Sequence, residues 1–584
     1  MWSLEMTERQ NMANKEASAN NTLTETGNWR LNWQWTNTAT YTKKIHEDHN
    51  ITVVLGTEAI KQGVGRYMQG TRIDYIFESD PNTWTLDNGS SSNIGNSSRY
   101  QRKVTMFGLF GRADYSYKGK YLATFTIRRD ASSKFGSKNR WGNFPSASLG
   151  WRMSDEKFME PTRKWLDDFK LRAGYGTTGN SNIGSYNYAF QYGTGNYYMY
   201  PITGSDSETS PGYVLSNLGD SDAKWETTKM FNIGFDLTAL SNRLTAGFDF
   251  YVKNTSDLLV PANWSALVGN ASKPSINIGD MKNRGVDLSI GWRDKVGEFG
   301  YNITANISRY KNEVTRLGSS DLFNDTRLSK VNITTVGQPV GMFYGYQIEG
   351  IYQNEQDVIS SGVLPYGVAT ENDLVASAWV GRYKMKDVNN DGKIDADDRT
   401  IIGNPHPDLT GGFNISLTWR DFDLSTYMYY SIGNDLYKHY EYYTMFGNLQ
   451  SNYSKDRLAK SWDPVNNPNG IYPLWTTTST EGPEAGNESN SNYVQDGSYL
   501  RMQTLTLGYS LPKKLLKKIG FEKIRVYGQI SNVFTITGYD GLDPEVRSHT
   551  SFENEYVSSD MNKCIDYGSY GMPRQFLMGV NVTF

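Results

Sequence analysis

Apolar and polar side chains alternate in this chain over segments of about ten residues, and no other feature restricts the fold as strongly. From Leu244, the residues Leu244, Ala246, Phe248, Phe250 and Val252 share one face, and Thr245, Gly247, Asp249 and Tyr251 share the other. Ile303, Ala305 and Ile307 alternate in the same way with Asn302, Thr304, Asn306 and Ser308. So do Phe422, Leu424, Thr426, Met428 and Tyr430 with Asp423, Ser425, Tyr427 and Tyr429. A period of two is the signature of a strand with one apolar face. About ten residues tilted near 45° climb about 23 Å, the height of the apolar band on a membrane barrel. Strands of a soluble sandwich need only about five or six residues. The pattern therefore predicts an all-β fold, a transmembrane antiparallel β-barrel wall.

The connections alternate as well. Short joins occur at Lys118-Gly119-Lys120, Ser241-Asn242-Arg243, Asp294 to Glu298 and Arg420-Asp421. Between them lie long segments rich in Asn, Ser, Gly and Tyr, at about 61–101, 178–224, 314–407, 433–496 and 537–573. Short turns on one side and long loops on the other are the habit of outer-membrane barrels. About fifteen strands are expected between residue 28 and Phe584, the first near Trp29 to Tyr41, with 1–27 as an outer loop or a truncated start. The last strand, Gln575 to Phe584, sets Phe576, Met578, Val580, Val582 and Phe584 on one face. Tracking from the short turns puts that end in the periplasm.

Composition removes competing classes. Hydrophobic residues are 38% of the chain, and no run of about 18 apolar residues could cross a bilayer as a helix. A net charge of -3 supplies no basic field for nucleic acid, and the cluster Lys513, Lys514, Lys517 and Lys518 reads as a solvated turn. The single cysteine, Cys564, cannot form an intrachain disulfide. His46, His49, His406, His439 and His549 are scattered, and no hydrolase, zincin or phosphate-loop motif is present. His46 and His49 flank Glu47 and Asp48, a conceivable metal pair that a short exposed turn explains equally well. No enzyme activity is expected.

The sharpest local motif runs from Asp387 to Asp398. Asp387, Asn389, Asp391, Asp395 and Asp398 fall on positions one, three, five, nine and twelve of an EF-hand loop, with the Lys393 carbonyl at seven and Gly392 at the sharp turn. A hard cation needs several oxygens, so Ca2+ is the expected ligand, against the alternative of a solvated acidic turn. Position twelve is Asp, which shortens the bidentate reach. Aromatic clusters form a second candidate: Tyr186, Tyr188, Phe190, Tyr192, Tyr197, Tyr198 and Tyr200 in one loop, and Tyr437, Tyr440, Tyr442 and Tyr443 in another. Tyr192, Tyr197, Tyr198, Tyr440 and Tyr442 are candidates for stacking on a sugar or meeting a partner, and girdle packing is the competing explanation.

Several phrases, in order along the chain, resemble the SusC/RagA branch of TonB-dependent transporters. They are Arg128 to Gly136 (RRDASSKFG), Asn143 to Trp151 (NFPSASLGW), Leu171 to Asn180 (LRAGYGTTGN), Trp225-Glu226-Thr227-Thr228, Asn283-Arg284-Gly285-Val286-Asp287, Gly341 to Tyr346 (GMFYGY), the acidic loop at Asp387, and Tyr499-Leu500-Arg501. The resemblance covers about Trp29 to Phe584. It implies a barrel of about 22 strands, an internal plug, energy from TonB, a SusD-like surface lipoprotein as a lid, and oligosaccharides or peptides as cargo in the outer membrane. It also implies that Phe576 and Phe584 carry the signal read by the barrel-assembly machinery. The plug, the TonB box and a signal peptide find no counterpart before Trp29, so the native protein is expected to be longer at its amino end. A passive porin and a secreted glycan-binding β-protein are the rival readings.

Overall fold

Backbone conformation at the short joins decides where the chain reverses. Gly119 sits at φ +69° with open space where a side chain would be, between Lys118 and Lys120. Leu240, Ser241 and Asn242 take three consecutive left-handed conformations, which turn the chain within the join that follows Ala239. Reversals this tight pair each strand with its successor, so the fold is a meander.

The computed structural model describes all residues except 1, 8–19, 77–78, 91–93, 102, 202–208, 262–270, 273, 319–320, 325–327, 329, 447–451, 476–482 and 547–558. One 17-stranded sheet dominates it. In chain order its strands are β1 (Trp2–Thr7), β2 (Thr22–Ile45), β3 (His49–Ile73), β4 (Gly95–Tyr100), β5 (Val104–Tyr117), β6 (Tyr121–Ser132), β7 (Trp141–Arg152), β8 (Leu166–Asn180) and β9 (Glu226–Ala239). Then follow β10 (Leu244–Pro261), β11 (Ser275–Val296), β12 (Phe299–Arg316), β13 (Leu409–Trp419), β14 (Phe422–Ile432), β15 (Tyr499–Ser510), β16 (Lys523–Thr537) and β17 (Gln575–Thr583). From β5 to β17 each strand pairs antiparallel with the next. Strand β3 pairs with β5 along its lower part and with the short β4 above. The outer edge of β17, and that of β2 beyond Gly27, carry no strand partner among the described residues. No described helix is long and apolar enough to cross a membrane.

Register carries the alternation across strands. Phe235, Phe248, Leu288 and Ile307 stand side by side on β9 to β12, while Gly234, Asp249, Asp287 and Ser308 form the neighbouring row on the opposite face. The apolar face is bare: Phe125 is 52%, Leu55 60% and Leu149 65% exposed. A sandwich would bury these residues against a second sheet, which rules out the secreted sandwich reading; such a surface fits lipid. Aromatic rows bound it. Tyr115, Tyr117, Tyr121 and Trp151 lie near the short turns, and Phe107 meets Trp141 edge-on at 6.3 Å towards the long loops. Ten residues separate Tyr117 from Phe107, about 24 Å of height at a 45° tilt, which matches the barrel's apolar band.

Four places depart from the sequence expectation. Strand β2 begins at Thr22 rather than near Trp29, and β1 pairs with its first six residues, so part of 1–27 is sheet and not loop. Lys61 lies inside β3, which continues to Ile73, and β4 occupies 95–100, so the loop expected over 61–101 is confined to 74–94. Polar cross-strand pairs sustain this extension: Arg99 lies over Tyr67 at 4.5 Å and Arg66 over Tyr100 at 5.8 Å. A count of apolar residues does not register such pairs. The 178–224 segment holds its own hairpin, Gln191–Pro201 with Thr209–Asn217. Finally, the lysine cluster is about two turns of α-helix, Lys513–Ile519, ended by Gly520 in a left-handed C-cap.

Candidate functional site

Strand parity sets Arg112, Arg128, Arg172 and Arg525 on the polar face, and each of these four is answered by a carboxylate of the same wall. Arg172 donates through Nη1 and Nη2 to both oxygens of Asp249 at 3.0 Å and lies 2.9 Å through Nε from Asp236. Arg112 binds Asp114, which also accepts from Thr124 at 2.7 Å. Arg128 sits between Asp130 at 2.8 Å and Glu58, and Arg525 donates to Asp423 at 2.8 Å. Bidentate pairs of this kind fix orientation as well as charge. The result is a wall rich in hydrogen-bonding groups whose charges cancel locally, suited to a polar, extended solute.

At the long-loop end, segments from three loops share one hydrophobic core. Val331, Phe343, Tyr346, Tyr383, Ile394, Leu436, Tyr437, Trp462, Tyr493 and Ile565 are among its buried residues. A four-stranded sheet of Leu322–Asn324, Asn332–Thr334, Met342–Gly345 and Thr400–Gly403 frames it. Buried charges here have polar partners. Lys438 Nζ lies 2.6 Å from Glu441, and the Tyr472 hydroxyl donates to the same carboxylate at 3.4 Å. Arg457 donates to the carbonyls of Met445 and Pro473, and Arg399 pairs with Glu488 beneath the Tyr346 ring. Arg501, only 3% exposed, ties β15 to the last loop through Asp543 and through Glu545 at 2.8 Å. His439 is buried among the rings of Tyr437, Tyr442, Tyr443 and Tyr567, neither ring nitrogen has a hydrogen-bond partner among the described residues, and burial pushes its pKa down to about 4. Cys564 is buried, donates weakly to the Pro405 carbonyl, and its thiol is pushed up to about 11, the profile of an inert side chain.

The residues singled out from sequence fall in different settings. In the acidic loop Asp387 accepts the amides of Asn390 at 2.6 Å and Gly392 at 2.8 Å, Asn389 accepts that of Asp391, and Asp391 accepts that of Lys393. Asn390 and Gly392 hold left-handed φ, and Ile394 anchors the loop in the core. Asp395 is held below the usual carboxylate range by the Lys393 ammonium, 2.7 Å away, and by the Asp397 amide. Fully buried Asp398 accepts from Val388 and Asp395. Among the described residues no group of three or more His, Cys, Asp or Glu side chains converges as a metal site. Tyr440 and Tyr442 are half-buried at the margin of the loop core, where Tyr442 meets Tyr443 edge-on at 5.2 Å. Tyr192 is exposed; the side chains of Tyr197 and Tyr198 lie outside the described residues. Phe576 and Phe584 are strongly exposed, and the Phe584 ring lies 5.2 Å from Phe521. His49 is bonded to the Tyr115 hydroxyl at 2.8 Å, which accounts for it without a metal.

Residues 3–395 match the family described as TonB dependent receptor-like, beta-barrel. The chain belongs to this family of outer-membrane receptors. Among its TonB-dependent receptor relatives, receptor P3 of Formosa agariphila is 34% identical over 83% of this chain and 46% of its own length. SusC of Bacteroides thetaiotaomicron is 31% identical over 83% of this chain and 44% of its own length. The structure of the RagAB peptide transporter superposes on the whole chain and on 58% of its own, with a TM-score of 0.78 and 25% identity. The chain thus spans about half the length of the curated relatives it matches. These relatives are receptors and not enzymes. As a TonB-dependent receptor barrel, the chain uses its recurrent phrases to clamp loops onto the wall. Phe135 meets Trp225 at a tilt at 5.3 Å and Phe144 meets it edge-on at 5.4 Å in a second buried cluster, with the Trp225 indole donating to the Arg140 carbonyl. Phe343 and Tyr346 belong to the loop core, and Arg501 is the clamp described above. The role of Arg399 had no legible signal because its partner Glu488 lies in another loop, and those of Arg457 and Glu441 had none because Pro473 and Tyr472 lie far along the same loop.

Proposed function

We propose that this chain forms wall and outer loops of an energy-driven importer that takes oligosaccharides or peptides through the outer membrane. The observation that carries the reading is the double character of the sheet: a bare apolar face between aromatic rows, and a polar face whose arginines are neutralised within the wall. Neutralised charge favours a solute bound by many hydrogen bonds over a small ion. The likeness to the RagAB peptide transporter supports the peptide class. In a bilayer, each unpaired edge group costs several kcal/mol, so the open edges of β2 and β17 are proposed to close with further strands into a barrel of about 22 strands. TonB would supply energy, a SusD-like lipoprotein would sit on the loop layer, and the exposed Tyr192 is the best-placed of the candidate tyrosines to meet it or the cargo.

Two local roles belong to the same proposal. The acidic loop binds Ca2+ through Asp387, Asn389, Asp391 and the Lys393 carbonyl, with Asp395 and Asp398 joining when Lys393 releases its carboxylate partner; the EF-hand spacing and the left-handed Gly392 support it. Phe576 and Phe584 present the closing strand to the barrel-assembly machinery. The deciding experiment compares uptake of labelled oligosaccharides and labelled peptides in cells with and without the gene, with and without a protonophore. Energy-dependent uptake lost on deletion is expected. Uptake that persists at full rate in de-energised cells would establish a passive porin instead.

A further inference from the structure

On the bare face of the wall, three residue rows crossing β2, β3, β5, β6 and β7 follow one another with depth. Nearest the long loops is an aromatic row, Trp35, Ala59, Phe107, Ala131 and Trp141. Next comes a polar row, Asn37, Thr57, Leu109, Arg129 and Asn143, and then an apolar row, Ala39, Leu55, Gly111, Ile127 and Pro145. The lower two rows, apart from Pro145, line a groove of about 780 Å³. Gly111 makes its floor: a Cβ there would stand 3.3 Å from Leu55 and 4.0 Å from Ile127, so the missing side chain leaves the depression between them.

Arg129 is the one charged residue on this face of β5, β6 and β7. It is exposed, and its guanidinium lies over the Trp141 ring at 5.0 Å, which carries it up towards the aromatic row. Arg112, Arg128, Arg172 and Arg525 on the opposite face are each paired with a carboxylate. Among the described residues, no carboxylate pairs with Arg129. A cation at the edge of hydrocarbon without a protein counter-charge needs one from outside.

We propose that the groove binds an anionic, phosphate-bearing lipid of the outer leaflet, its headgroup on Arg129, Asn143 and Thr57 and an acyl chain over Gly111. The chain itself contributes shape and little preference, because hydrocarbon next to protein replaces hydrocarbon next to hydrocarbon. Selectivity comes from the headgroup's net negative charge, carried by a phosphate that no choline neutralises and that the planar guanidinium can meet with two parallel hydrogen bonds. The inference rests on the assignment of this face to lipid, and its test separates the two.

Membrane-extracted protein is exchanged into mixed micelles carrying phosphatidylglycerol or phosphatidylcholine, and retained lipid is counted by native mass spectrometry. Phosphatidylglycerol should be retained about fivefold over phosphatidylcholine, the ratio expected for one cation at an anionic surface. Arg129→Gln should bring the two lipids to parity, Arg129→Lys should keep part of the preference, and Gly111→Leu should reduce retention of both by filling the floor. Excess inorganic phosphate should not displace the lipid. Equal retention by the unaltered protein, or a preference untouched by Arg129→Gln, overturns the site; if that variant does not fold, the unaltered protein and Gly111→Leu still decide. Quenching by acyl-brominated phosphatidylcholine that falls in Trp141→Phe by that residue's share reports the face. Its absence would overturn the lipid-side assignment, and quenching without headgroup preference would sink the binding site alone.

Discussion

Asp249 and Phe250 are neighbours in sequence and face opposite solvents. Phe250→Lys near the bilayer midplane is expected to cost about 2–4 kcal/mol in a lipid unfolding assay. Alternation alone would rate Asp249→Asn as nearly free, and the structure changes that: Asp249 takes both Arg172 nitrogens, so the substitution leaves a half-paired arginine and should cost about 1–3 kcal/mol. Equal costs for Phe250→Lys and Phe250→Leu would show that the face is wrongly assigned. Period two discloses which way a side chain points and is silent about which partner it finds across strands. His439 carries a second residue-scale prediction. Its folded pKa near 4 lies below the ordinary value of 6.5, so its neutral form stabilises the loop layer above pH 6.5, and that stability is lost as pH falls from about 6.5 to about 4. The full loss is on the order of 3 kcal/mol. Glu484, pushed up to about 7 by burial, works in the opposite sense: its contribution is present below 4.5 and lost as pH rises to about 7. The difference between the unaltered protein and His439→Phe in a pH series of thermal melts isolates the histidine. A difference that stays flat from pH 7 to 4 would remove it from the account.

Among the elements, those governed by local chemistry were legible and those governed by distant partners were not. The tight turns at Gly119 and Asn242 and the closing strand follow from residue identity and period. The rise of β3 to Ile73 depends on Arg99 over Tyr67, a contact between residues more than thirty positions apart. Tyr440 and Tyr442 are half-buried beside a core assembled from three loops, a setting that spacing cannot disclose. The acidic loop is an element whose spacing is legible and whose occupancy is a prediction. Calorimetry should detect calcium heat with the intact protein and none with Asp391→Ala; no heat with either would leave a solvated turn stabilised by its own amides. The closing strand gives another test. Deleting Phe584 removes an exposed aromatic terminus that packs on Phe521, and outer-membrane insertion should fall while synthesis is unchanged. Normal insertion would mean that the strand is not recognised by its end.

The whole molecule has two bodies with different reasons to be stable. The sheet has backbone hydrogen bonds and a lipid-facing surface but little buried core of its own. The loop layer has a water-excluded core and buried ion pairs like those of a soluble domain. Arg501 is a junction between them, since its strand belongs to the sheet and its partners Asp543 and Glu545 belong to the layer, while its Nε donates to Thr535 on β16 at 3.0 Å. Breaking a buried pair from one side strands the remaining charge, at a cost of about 3–5 kcal/mol. If the bodies are energetically separate, Arg501→Ala should spend that loss on the junction: amide exchange should accelerate over 539–546 and 564–572, while β5 to β8 stay protected. Such a result would identify the layer as a unit able to loosen over an intact wall, the behaviour an importer needs when cargo enters. Acceleration spread evenly over β5 to β8 as well would show that wall and layer open as one cooperative body, and gating would then have to come from elsewhere.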